Sequence, residues 1–148
     1  MSVQVGDALP ERVTEAVSRE KMKTMAALLA DPNPIHFDVD AVRALGMGDR
    51  PVNQGPSNLG YVVSMLAAWA GGPQHVRRFR VRFLGNVLGD DRVVARGTVT
   101  ALRDEGGRRL ADCDVELAVD GTRPVLTGTA TVDVTDLGDV TDLGRSPA

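Results

Sequence analysis

The sequence predicts an α+β domain in which an antiparallel sheet wraps a central buried helix. Three observations predict it. The segment 57–70 is apolar on nearly every side, the pattern of a helix enclosed by other elements. From His75 onward the apolar period changes to two, and four strand-like runs follow one another, separated by Gly- and Asp-rich turns. Helices and strands are segregated along the chain, which favours α+β over an alternating parallel sheet.

Residues 3–17 read as extended, with turns near Gly6-Asp7 and Pro10. Ser18 then offers a helix N-cap. Met22, Met25, Ala26 and Leu29 recur at i, i+3, i+4, i+7, so a helix with one buried face follows. It stops by Ala30, because Asp31 precedes Pro32 and is pushed out of the α region. The stretch Asp31-Pro32-Asn33-Pro34-Ile35-His36-Phe37-Asp38 cannot be regular helix, and its two prolines stiffen it. Asp38 is placed to cap a short helix over 39–45 that Gly46 ends, and 48–53 is a loop. Pro56 suits the first turn of the central helix, with Gly55 or Ser57 as its cap. Leu59, Val62, Val63, Leu66 and Ala70 share one side of it, and Tyr61, Met65, Ala68 and Trp69 cover much of the rest. Gly71-Gly72-Pro73 ends it.

Strands are predicted over 75–87, 92–102, 109–119 and 125–134. The third alternates most cleanly: Ala111, Cys113, Val115, Leu117 and Val119 point inward, between Asp112, Asp114 and Glu116. The domain is expected to span 1–135, with 136–148 a loose polar tail. The Val-Thr-Asp-Leu-Gly string occurs twice near the end (134–138 and 140–144), a period too short to build a repeat architecture.

Composition narrows the function classes. The chain has 148 residues, 43% hydrophobic and 25% charged, which is ordinary for one globular domain with a core of its own. A single cysteine, Cys113, excludes an internal disulfide framework, and two histidines argue against a His-rich metal site. A net charge of −3 and 3% aromatic residues argue against nucleic-acid binding. The longest apolar run, 59–70, is shorter than the roughly 20 residues a bilayer requires, and the first residues carry no secretory apolar stretch. The expectations are no metal, no cofactor, no nucleic-acid or membrane partner, and a cytoplasmic location.

The chemistry is concentrated in Asp31-x-Asn33-Pro34-Ile35-His36-x-Asp38, followed by Arg50-Pro51-Val52-Asn53-Gln54-Gly55 and the central helix. Together with Val81-Arg82-Phe83-Leu84-Gly85-Asn86-Val87, these stretches resemble the MaoC-like (R)-specific enoyl-thioester hydratase/dehydratase family, which has the hot dog fold. The likeness covers roughly residues 5–134. It implies reversible hydration of a trans-2-enoyl thioester, of coenzyme A or acyl carrier protein, to the (R)-3-hydroxyacyl product. It also implies that Asp31 and His36 form the catalytic dyad and that the Gly55 N–H meets the thioester carbonyl. Gln54 stands where the family usually has His, and Pro56 where it often has Met. Family members generally pair, so a homodimer is expected, with a heterodimer as the alternative.

Elementary chemistry agrees with that implication. Hydrating an activated alkene needs a base for water and an acid for the adjacent carbon. A carboxylate and an imidazole that converge on one water inside an apolar tunnel can serve as both. The prolines limit motion between Asp31 and His36. An N–H at a helix start stabilises charge on the thioester oxygen, and since Pro56 has none, Gly55 is the natural donor. Asn33 and Gln54 are the further substrate-side candidates; Asn33 is also expected to pin the loop, and Gln54 either lines the pocket or merely holds the loop. Alternation puts Arg78, Arg80 and Arg82 on one strand face. There they are candidates for phosphate binding or simply a solvated row. Two rival readings stay open: an auxiliary or non-catalytic subunit of a two-chain hydratase, and a hot dog acyl-thioesterase.

Overall fold

The computed structural model describes residues 2–138. In chain order its elements are β1 (Arg12–Thr14), α1 (Arg19–Leu28), a 3-10 turn (Pro34–His36), α2 (Val39–Ala44) and α3 (Gly55–Ala70). A second 3-10 turn (Pro73–His75) leads into β2 (Val76–Phe83), β3 (Val93–Glu105), β4 (Arg108–Val119) and β5 (Arg123–Asp133). The five strands form one antiparallel sheet in the order β1-β3-β4-β5-β2. The N-terminal stretch therefore supplies an edge strand, and the four expected strands make up the rest.

Local chemistry accounts for the helix boundaries. Ser18 caps α1 by accepting from the Lys21 N–H, and Asp38 caps α2 by accepting from the Asp40 and Ala41 N–H groups. α1 closes in a Schellman turn: Asp31 N–H donates to the Ala26 carbonyl and Ala30 N–H to that of Ala27, with Ala30 left-handed at φ 50°. The helix thus ends one residue before Leu29, which turns outward instead of joining the buried face; Met22 and Ala26 carry that face. At α3 the cap is the backbone of Gln54, not the side chain of Ser57.

α3 lies against β2, β3, β4 and β5. Val62, Met65, Leu66 and Ala70 join Cys113, Leu117, Leu126 and Val132 in one core cluster. The expectation of a helix enclosed on all sides is corrected here. Ser64 and Ala68 are exposed and Leu59 and Val63 only half-buried, because one five-stranded sheet covers one side of the helix. Cys113 is sealed in the core, and burial together with Asp112 and Asp114 pushes its thiol up to about 12. Thr135–Gly138 forms a further 3-10 turn with Leu137 against the core. The remainder of the expected tail, 139–148, lies outside the described residues.

The sheet's end is tied by a buried carboxylate. Asp133, 2% exposed, accepts from Arg77 and Arg108 guanidinium groups at 2.8 and 2.7 Å and from the Thr135 hydroxyl at 2.6 Å. These bonds, Thr135's foremost, hold its carboxyl far below the usual carboxylate range against the opposing effect of burial. Because the folded value lies below the unfolded one, folding favours the ionised form. The stabilisation is complete above about pH 4 and declines as pH falls through the carboxylate range. Asp133→Asn should therefore cost about 2 kcal/mol at neutral pH. In acid melts the wild-type advantage over the variant should shrink; a gap that stays constant down to low pH would refute the assignment.

Candidate active site

The loop after α1 brings Asp31 and His36 together. Asp31 Oδ1 accepts from the Asn33 N–H at 3.0 Å, and Asn33 Oδ1 accepts from the Ile35 N–H at 3.3 Å. Two successive Asx turns, with Pro34 at the start of the 3-10 turn, fold the segment back on itself. His36 comes to rest 8% exposed with its Nε2 3.2 Å from Asp31 Oδ2. Its other ring nitrogen, Nδ1, stands 2.6 Å from the Val52 carbonyl oxygen. Only an N–H can meet a carbonyl oxygen at that distance, so Nδ1 carries a proton. The ring's other nitrogen, Nε2, faces the Asp31 carboxylate within hydrogen-bonding distance.

Val52 belongs to a buried strap, Pro51 to Gln54, that joins four parts of the molecule. The Val52 N–H donates to the Ile35 carbonyl (2.8 Å) and the Asn53 N–H to that of Val87 (2.7 Å). The Asn53 amide donates to Asn58 Oδ1 in α3 at 2.7 Å. Gln54 Nε2 donates to the Met22 carbonyl in α1 at 2.8 Å. Of the two roles open for Gln54, its contacts fit the holding one: it is 1% exposed, and its amide fastens the start of α3 to α1. Asn33 is exposed, and its oxygen is occupied in capping the 3-10 turn, the loop-pinning role.

Gly55 opens α3. The Ser57 and Asn58 N–H groups both donate to the Gln54 carbonyl, and Pro56 has none. The Gly55 N–H is the donor of this first turn with no acceptor inside the helix. A Cβ on Gly55 would lie 3.5 Å from the Phe83 ring, so the end of β2 packs beside this helix start. Val52 and Phe83 are the contributors that the sequence reading missed. A backbone carbonyl carries no residue signature, and Phe83 comes near Gly55 only through the sheet.

Arg78, Arg80 and Arg82 lie on the outer face of β2, opposite Thr131, Thr129 and Thr127, and are not among the contacts of Asp31 or His36. A hollow of about 610 Å³ crosses the outer sheet face between Leu9, Arg96, Glu116 and Thr129. Another, about 280 Å³, lies between α1 and α3 beside Lys21, Ser57 and Tyr61. Neither is lined by Asp31 or His36. Among the described residues no group of three or more His, Cys, Asp or Glu is placed to hold a metal ion. None of the described helices is long and apolar enough to cross a membrane.

The chain was compared with known proteins. The sequence profile of the family described as MaoC like domain matches residues 2–120. No curated protein sequence matches. Among solved structures, the (R)-hydratase from A. caviae involved in PHA biosynthesis superposes with a TM-score of 0.77 at 24% identity, over 88% of this chain and 96% of that one. The ChsH1-ChsH2 complex from Mycobacterium tuberculosis gives 0.74 at 25% identity, over 90% and 98%. The C-terminally truncated HadBC (3R-hydroxyacyl-ACP dehydratase) complex from the same organism gives 0.68 at 18% identity, over 89% and 98%. The helix-and-sheet architecture is the hot dog fold.

Proposed function

Because this chain belongs to the MaoC-like domain family, we propose that it reversibly hydrates trans-2-enoyl thioesters of coenzyme A or acyl carrier protein to (R)-3-hydroxyacyl thioesters. The observation that carries this reading is the 3.2 Å approach of His36 Nε2 to Asp31 Oδ2, with the tautomer held by Val52. A water seated on the two atoms gives up a proton to the pair as its oxygen bonds to C3 of the enoyl group. The pair then delivers a proton to C2, so water is added across the double bond and the pair is restored. Charge that builds on the thioester oxygen meets the Gly55 N–H, positioned by α3. No bond to sulfur is broken.

The half-covered α3 supports an acyl channel that a second subunit completes. Purified protein with crotonyl-coenzyme A tests the reaction. Loss of the enoyl absorbance without release of thiol is the expected result. Thiol release would make it a thioesterase, and silence until a second chain is added would make it one half of a two-chain enzyme.

A further inference from the structure

Gln54 makes bonds in two directions. Its backbone carbonyl accepts from the Ser57 and Asn58 N–H groups and closes the first turn of α3, directly beside Gly55. Its side chain is 1% exposed, and Nε2 donates to the Met22 carbonyl of α1 at 2.8 Å. The other amide atom, Oε1, is buried and receives no donor from any described residue. An acceptor buried in that state lowers stability, which offsets what the single amide bond contributes.

Stability is therefore a poor account of this side chain. The Met22 carbonyl lies inside α1, where the Ala26 N–H four residues on is its helical donor. Side-chain packing between the two helices is also incomplete: a hollow of about 280 Å³ parts them beside Lys21, Ser57 and Tyr61. The Gln54 amide supplies a directed link there instead.

That link closes a circuit around the reactive pair. From Met22, α1 runs to its Schellman turn, where the Asp31 N–H is held by the Ala26 carbonyl at 2.9 Å. Asp31 Oδ2 faces His36 Nε2 at 3.2 Å, and His36 Nδ1 is held by the Val52 carbonyl at 2.6 Å. Two residues further along the chain stands Gln54 again. Every joint is short and directed. With the circuit opened at Gln54, the helix that carries Asp31 and the helix start that carries Gly55 can shift against one another. A displacement of about 1 Å between reacting groups is enough to cost roughly a hundredfold in rate.

We infer that Gln54 is a positioning residue: its amide holds the Asp31–His36 pair and the Gly55 N–H in fixed relation. The inference rests on the proposed hydration for its kinetic meaning, but the linkage it asserts is read without turnover.

Gln54→Met removes both amide atoms at similar length and volume. The lost bond and the lost unmatched oxygen offset each other, so the melting temperature should lie within about 3 °C of wild type or above it. Hydrogen exchange of the full chain should show the buried Val52 and Asn53 amides opening at least about tenfold faster, with the Cys113 amide in the sheet unchanged. On crotonyl-coenzyme A, kcat should fall at least about thirtyfold. KM should change less than about threefold, because the Gly55 N–H is needed most as charge develops. Gln54→Glu gives a second reading. Protonated, its O–H replaces the amide donor to Met22; ionised, it offers that carbonyl only oxygens. Its kcat relative to wild type should therefore recover toward acid pH and fall as pH rises, with circular dichroism confirming the fold at each pH. Should the glutamate variant not fold, the methionine variant decides alone. Wild-type kcat in Gln54→Met, wild-type exchange of its strap amides, or a loss of activity that follows a lowered melting temperature would each overturn the inference. If the wild type leaves crotonyl-coenzyme A unchanged, the hydratase reading fails and the exchange comparison still decides this one.

Discussion

Asp31→Asn should leave a folded protein that has lost about a thousandfold of its turnover on crotonyl-coenzyme A, within the range that acid–base residues contribute. The amide keeps the oxygen that receives the Asn33 N–H, so the loop retains its first Asx turn and the melting temperature should hardly move. His36→Ala should lose as much activity but also some stability. It leaves the Val52 carbonyl without its partner in a buried position, at a cost of about 1 to 3 kcal/mol. The double variant should be no slower than the worse single one, because the two groups act on one proton. Full activity in either single variant would show that the reaction proceeds elsewhere.

Gly128→Ala should be the most damaging single methyl in the sheet. A Cβ there would sit 2.2 Å from the Arg80 carbonyl oxygen and 2.8 Å from the Val81 Cα, both backbone atoms of the neighbouring strand. A flexible side chain could swing aside, but a paired strand cannot. Separating β5 from β2 should cost about 3 kcal/mol, and the melting temperature should fall by roughly 10 °C. It should also move Phe83 from its place beside Gly55, so KM and kcat should both change. Gly60→Ala is the matched control. It lies within α3 with nothing within 4 Å of the added carbon, and alanine favours helix, so it should be neutral or slightly stabilising. Equal melting temperatures for the two variants would contradict the packing described.

What the sequence disclosed followed from chemistry local to the chain. Ser18 and Asp38 are caps because their short oxygens reach N–H groups two or three residues on, and both were legible. The pairing of Asp31 with His36 was legible through the family resemblance of their motif; the two prolines between them said only that the segment is stiff. Contacts across the fold were not legible. The sequence left Gln54 between lining a pocket and holding the loop, because its amide reaches back to Met22, a partner that no local spacing announces. Leu29 fitted the apolar period of α1, but the Schellman turn rotated it away. The alternation of the β2 arginines was readable as a common face; that this face borders an open edge required the strand order.

The strap residue Val52 has one more consequence. Its carbonyl grips the imidazole, and three residues later the chain presents the helix-start amide, so at most about 10 Å of backbone separates the two anchor points. In the proposed reaction that span would act as a fixed ruler for the reacting end of the substrate, the few atoms from thioester oxygen to C3. Nothing in it senses the far end of the acyl group. Selection for length or branching is therefore delegated to other walls, and those walls can diversify while the ruler stays unchanged.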